Sequence, residues 1–408
     1  MKNIIKNFGF LSLLQIVSLL IPFLIYPYLI RIYGSSLYGE YIYALVISSL
    51  FQVVINFGFD LSGTKEISER INKGKDISTV FCAIQAIKFF ISILSVLTLI
   101  LFVKYLNLNI ALYALCIVFV VFESLFPIYV FNGLEKQKIA AFIQIPSKIL
   151  YLSLVYMFIS NQESINNVVV LQIISSFIAL VVAHIYLNKV VGIKLVTKLG
   201  KISKYLFFDS WIYFVSRISG VINLKTASLT LGYIFSPSIV AMYDLSMKFV
   251  DLFRMPITII NQVIYPKVIK SRDKNLVIII LLLCIFYSLG VCFFVYIFGM
   301  DMVMFLGGKE MAQSNMILQF IIFLVPLSAI SWVLGNNALI AFGYKKLFLK
   351  SVLYSSLFLV ICSLYLVVSK EDVVVEDVLE VVVMTAILLA CFRLYYSIKV
   401  HFFGNCRE

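Results

Sequence analysis

Ten ionisable side chains stand inside stretches of this sequence that are otherwise apolar: the cations Lys88, Lys148, Arg217, Lys225, Lys248 and Arg254, and the anions Glu123, Asp209, Asp244 and Asp251. Surrounded by hydrocarbon, each costs about 2.5–3.5 kcal/mol on insertion scales, in total more than a marginally stable fold tolerates. They are expected to line a wet interior or to bridge one helix to another. Six cations against four anions leave such an interior net positive. Its natural guest is an anion with several oxygens, held by charge-assisted hydrogen bonds. The sharpest spacing belongs to Asp244, Lys248, Asp251, Arg254 and Gln262, at intervals of 4, 3, 3 and 8, which confines them to about a third of a helix circumference. Ser49, Gln52, Asn56 and Asp60, at intervals of 3, 4 and 4, form a second polar face. Asp60, Glu123 and Asp209, with Asp244 and Asp251, are candidates for binding a coupling ion and read equally as bridging residues. No catalytic set stands out. The only histidines are His184 and His401, and the seven cysteines show no metal-ligand spacing, so neither metal nor cofactor is expected.

The elements that must carry these residues follow from composition. Of 408 residues, 62% are hydrophobic and 13% charged, and the mean hydropathy is +1.05, so no charged shell can enclose a water-soluble core. The chain reads as an all-α polytopic membrane protein. Runs long enough to cross a bilayer lie at about 8–30, 40–60, 78–103, 108–131, 139–160, 166–187, 206–232, 238–264, 276–299, 315–335, 347–368 and 379–399. They are too long for barrel strands and lack period-two alternation. The first run has no small-residue cleavage site after it and is expected to remain as a helix. With the N-terminus inside, twenty-one basic residues fall in inner segments and four outside, at Arg31, Lys104, Lys309 and Lys370. That bias places both termini in the cytoplasm. The basic residues are scattered along the chain, so they read as topology signals and headgroup contacts, with no nucleic acid partner. Lys350 and Arg393 lie nearer inner ends, where snorkelling would account for them.

The stretch "RIYGSSLYGEY" at 31–41 has a partner in "YIFSPSIVAMYDL", where an offset of 202 places Tyr33 on Phe235, Ser36 on Ser238, Tyr41 on Tyr243 and Lys65 on Lys267. Spans one to six and seven to twelve then form two copies of one unit. The offset also pairs Ser49 with Asp251 and Gln52 with Arg254, so the two polar faces are expected to look at each other. The lobes expected are 1–187 and 206–408, joined by a basic cytoplasmic linker at 188–205.

The sequence "RIYGSSLYGEYIYALVISSLFQVVINFGFDLSGTKEIS", a Gly-x-x-x-Tyr-Gly turn, a helix and a return to the cytoplasm, resembles the N-terminal signature of bacterial polysaccharide-unit flippases. This is the O-antigen or Wzx-type group of the multidrug, oligosaccharidyl-lipid and polysaccharide exporter superfamily. The resemblance implies two six-helix bundles around a V-shaped cavity in the bacterial inner membrane. It implies alternating-access transport of an undecaprenyl-diphosphate-linked oligosaccharide to the outer leaflet, with membrane lipids and a polysaccharide polymerase as further partners. A diphosphate matches the excess of cations: Arg254, Arg217, Lys248, Lys225, Lys148 and Lys88 would bind it. No phosphate-binding G-x-x-x-x-G-K-[ST] loop is present, so a secondary carrier is expected and not an ATP-driven one. Two rivals share these features. A multidrug or cation antiporter of the same superfamily should carry an acid-dominated cavity, and a lipid-linked sugar polymerase should carry a large outer loop, whereas the longest here is 300–314.

Overall fold

A computed structural model describes residues 2–160, 164–196, 199–369 and 373–402; Lys198, Lys370, Cys406 and Arg407 lie outside them. The described chain is helical throughout. The elements are α1 (Lys2–Asn56), α2 (Phe59–Asn72), α3 (Ser78–Tyr105), α4 (Ile110–Leu125), α5 (Ile128–Gly133), α6 (Gln137–Phe158) and α7 (Asn166–Tyr186). They continue with α8 (Gly200–Ile234), α9 (Pro237–Ser271), α10 (Lys274–Gly307), α11 (Ser314–Ile321), α12 (Leu324–Trp332), α13 (Lys345–Val368) and α14 (Val375–Phe402). A π-helical turn, Leu187–Val191, closes α7, and a longer π-helical segment, Val333–Ile340, follows α12.

All twelve apolar runs fall on helix. Gly34 divides α1, with φ 72° and ψ 174°, a conformation open in practice only to glycine. The helix after this break starts at Ser35 and α9 starts at Pro237, so the offset read from sequence recurs in the helix starts. The expected corner at 31–41 is a one-residue break and not a loop, and the expected loop 300–314 is also largely helical, since α10 runs to Gly307 and α11 begins at Ser314. Nine segments among the described residues are long and apolar enough to cross a membrane, one of them, Phe23–Asn72, running across the Gly34 break and through α2. The helices α8 and α9 are not among these, although each has 35 residues. Their sequences carry Asp209, Arg217 and Lys225, and Asp244, Lys248, Asp251 and Arg254.

The chain forms two compact units. Unit 1 holds Met1–Tyr33 and Tyr41–Val221; unit 2 holds Gly34–Glu40 and Ile222–Glu408. In unit 1, Phe57 stacks on Phe207 and Phe214 at ring distances of 4.4 and 4.7 Å within a core that includes Phe59, Ile84, Tyr129, Ile193 and Leu206. The basic segment 188–205 takes part in that core. Its Lys194 N–H donates to Ser78 Oγ at 3.1 Å, and Ser210 Oγ lies 2.6 Å from Ser62 Oγ. Asp76 opens α3 by accepting from the Ser78 N–H and hydroxyl at 3.0 and 2.8 Å, and these bonds hold its carboxyl below the usual carboxylate range. In unit 2 the 34–40 segment packs on the start of α9. Ser35 Oγ donates to Ser238 Oγ at 3.4 Å, and the Ser35 N–H donates to Glu310 Oε2 at 3.3 Å. Gly39 sits so close to Pro237 that a Cβ there would overlap the Pro237 carbonyl.

Candidate functional site

The polar face of α9 lies in unit 2. Asp244 pairs with Lys248 one turn along and accepts from Tyr38 Oη at 3.4 Å. A second pair, Arg254 Nη1 to Asp251 Oδ1, spans 3.3 Å. Arg254 Nη2 reaches the Leu324 carbonyl at 3.4 Å, and its guanidinium lies 5.8 Å from the Trp332 ring centre. Nε of the same guanidinium is buried without an acceptor. The pair is unequal: Arg254 is 13% exposed and Asp251 47%. Lys225, from α8, acts electrostatically on both Asp251 and Lys248. Three cations and two acids thus meet, a local excess of positive charge beside an aromatic ring. Both hydrogen bonds from Arg254 are near the long limit, so its protein partners do not saturate it.

The remaining expected residues fall in unit 1. Gln52 Nε2 donates to Glu123 Oε2 at 3.3 Å, and Asn56 Oδ1 accepts from Lys88 Nζ at 2.9 Å. Ser49 Oγ bonds back to Val46 O in its own helix. Ser49, Gln52 and Asn56 of α1 thus have partners inside their own unit. Lys88 departs furthest from expectation. It is fully buried, donates also to Ser124 O at 2.8 Å and lies 5.4 Å from the Tyr129 ring centre, with Asp60 acting on it electrostatically. A lysine sealed among α1, α3, α4 and α5 holds helices together. One Asp60 oxygen is buried without a hydrogen-bond partner. Asp209 acts on Lys65, and Arg217 is exposed and forms no ion pair among the described residues.

Lys148 and Glu123 do come together, at a cavity of about 220 Å³ enclosed by α1, α4, α6 and α7. Its walls include Tyr26, Tyr41, Gln144, Tyr151 and Gln172, none of them expected as a site residue from the sequence. A signal was available: Gln144, Ser147, Lys148 and Tyr151 follow the i, i+3, i+4, i+7 rhythm of one helix face.

Arg393 corrects another expectation. It does not snorkel. At 4% exposure it lies inside unit 2, donating to Ser331 O at 2.6 Å and to Ser351 Oγ at 3.3 Å, with Phe348 stacked 4.5 Å away. Lys350, by contrast, is exposed. Next to this cluster, Asn337 of the π-helical segment donates to Asn261 of α9 at 2.7 Å, both side chains buried.

The chain has relatives both in sequence and in fold. A family model described as "Polysaccharide biosynthesis protein" matches residues 4–271. The "Putative O-antigen transporter" of Escherichia coli (strain K12) is 21% identical over 313 residues, covering 74% of this chain and 75% of that protein. Among solved structures, the lipid II flippase MurJ in an inward closed conformation matches with a TM-score of 0.72 at 13% identity, over 94% of this chain and 87% of that one. An inward-facing MATE-family multidrug resistance transporter matches with a TM-score of 0.68 at 10% identity, over 95% and 96%.

Proposed function

The chain belongs to the polysaccharide biosynthesis protein family, and from that premise we propose that it is a flippase that carries undecaprenyl-diphosphate-linked oligosaccharide from the cytoplasmic to the outer leaflet of the bacterial inner membrane, both its termini lying in the cytoplasm. The observation that carries this reading is the unit 2 cluster of Lys225, Lys248 and Arg254 around Asp251, with the unsaturated Arg254 guanidinium. A diphosphate offers oxygens on which a guanidinium fork closes bidentately, and the two lysines add point charges. The likeness to an O-antigen transporter and to a lipid II flippase supports the same class of cargo. A cation exporter fits less well, because Asp244 and Asp251 are both engaged by cations of the same helix. An inside-negative potential contributes roughly 2.3 kcal/mol per charge per 100 mV to outward movement of the diphosphate. Substrate enters by diffusion within the leaflet, and the protein's work is to hide a charged headgroup from hydrocarbon while it crosses.

The test has two arms. Cells lacking the protein should accumulate the lipid-linked oligosaccharide on the cytoplasmic leaflet. Purified protein in vesicles should move that lipid between leaflets and leave its covalent structure unchanged. Elongation or cleavage of the sugar chain by the purified protein would overturn the carrier reading.

A further inference from the structure

A second polar site is the cavity of unit 1, which Glu123 and Lys148 line. We infer that it binds one uncharged sugar ring of the lipid-linked glycan, an inference that rests on the flippase reading. Size is the first argument. About 220 Å³ falls below the roughly 300–1,000 Å³ of pockets that take drug-sized molecules and suits a single monosaccharide ring. Charge is the second: Glu123 and Lys148 act on one another, so the cavity is balanced and offers little to a lone cation or a phosphate. A coupling ion would need a carboxylate that no fixed cation already answers.

What the walls do offer is neutral hydrogen bonding. Gln172 Oε1 accepts from Tyr41 Oη at 3.1 Å, which fixes the amide plane and leaves the Nε2 donors without a protein acceptor among the described residues. The Gln144 amide, half-buried on α6, has no protein partner among the described residues either. Tyr41 and Tyr151 both line the cavity. Half-buried amides lining a cavity are matched by partners that both donate and accept. Sugar hydroxyls do both, while the apolar C–H face of the ring packs on tyrosine rings. Two amides, one of them fixed, and two phenols carried by three helices also set an orientation, so the cavity selects among sugars by the positions of their hydroxyls.

The experiment compares two probes on purified full-length protein: undecaprenyl diphosphate alone, and the same lipid bearing the oligosaccharide, extracted from cells that lack the transporter. The wild-type protein should bind the glycosylated lipid about tenfold or more tightly than the bare one, the effect of one or two hydrogen bonds. Gln144→Leu removes an amide that no protein group needs, and Tyr151→Phe removes one hydroxyl. In each, the ratio of the two affinities should fall toward one. A ratio unchanged in both variants, or a wild-type protein that binds the two lipids equally, overturns the sugar site and leaves the flippase reading standing. A wild-type protein that binds neither lipid overturns the flippase reading, and the sugar site falls with it.

Discussion

Arg254 shows how little a contact distance says about a residue's task. Its bond to Asp251 is long and one partner is half in solvent, the kind of ion pair that contributes about 0–1 kcal/mol. Asp251→Ala should therefore leave transport and protein level near wild type. Arg254→Ala should abolish export of surface polysaccharide at normal protein level, and Arg254→Lys should restore part of it, keeping the charge without the fork. Recovery of export in the Asp251→Ala, Arg254→Ala double variant would make Arg254 scaffold. Arg393 is the opposite case, a buried guanidinium spent on a backbone carbonyl, a serine and a ring. Hydrogen bonds from charged groups contribute about 1.5–3 kcal/mol, so Arg393→Ala should lower the melting temperature in detergent by several degrees. Unchanged melting would refute that role. These two arginines were equally visible in the sequence as charges within spans. Depth along a helix can be counted from residue numbers, but the direction a side chain faces depends on which helices surround it. For that reason the sequence places Arg254 in the interior and Arg393 at a snorkelling end, and leaves Lys88 open between a wet interior and a bridge between helices; in the structure Lys88 is sealed and Arg393 does not snorkel.

At the scale of elements, long apolar runs made the helices legible, and the breaks between them were less so. A break needs only one residue with the right torsions. Gly34 interrupts α1 and leaves helix on both sides, a pattern that hydropathy averaged over a span cannot resolve. The polar cavity of unit 1 was missed for a related reason: glutamines and tyrosines carry no charge penalty, so nothing forces the eye to them. Two element-level outcomes are expected. Gly39→Ala should reduce yield and melting temperature, because the new Cβ meets the Pro237 backbone, which no rotamer change can relieve; Gly290→Ala, in open space on α10, should be neutral or slightly stabilising. Asp76 holds the start of α3 with its carboxyl below its ordinary value. A depressed folded pKa means that its contribution is fully present above the unfolded value, about 3.9, and is lost as pH falls through the folded one. The melting temperature of the wild type should therefore drop more than that of Asp76→Asn as pH is lowered from 5 toward 3.

For the whole molecule, the charge bias predicts one orientation, with both termini in the cytoplasm. A single cysteine replacing exposed Lys309, in a cysteine-free background, should react with an impermeant thiol reagent added to intact cells, and one replacing exposed Lys201 should not. Labelling at Lys201 would reverse the topology and with it the direction of transport. The assignment of Gly34–Glu40 to unit 2, although the chain on both sides belongs to unit 1, has a bearing on biogenesis. The surface that receives these residues begins at Pro237, so at about 5–20 residues per second the ribosome needs on the order of 10–40 s after making Gly39 to supply it. Through that interval Tyr38 and Gly39 wait without their native neighbours. The native packing of this short segment is therefore a late event in synthesis, although the helix that carries it is among the first to be made.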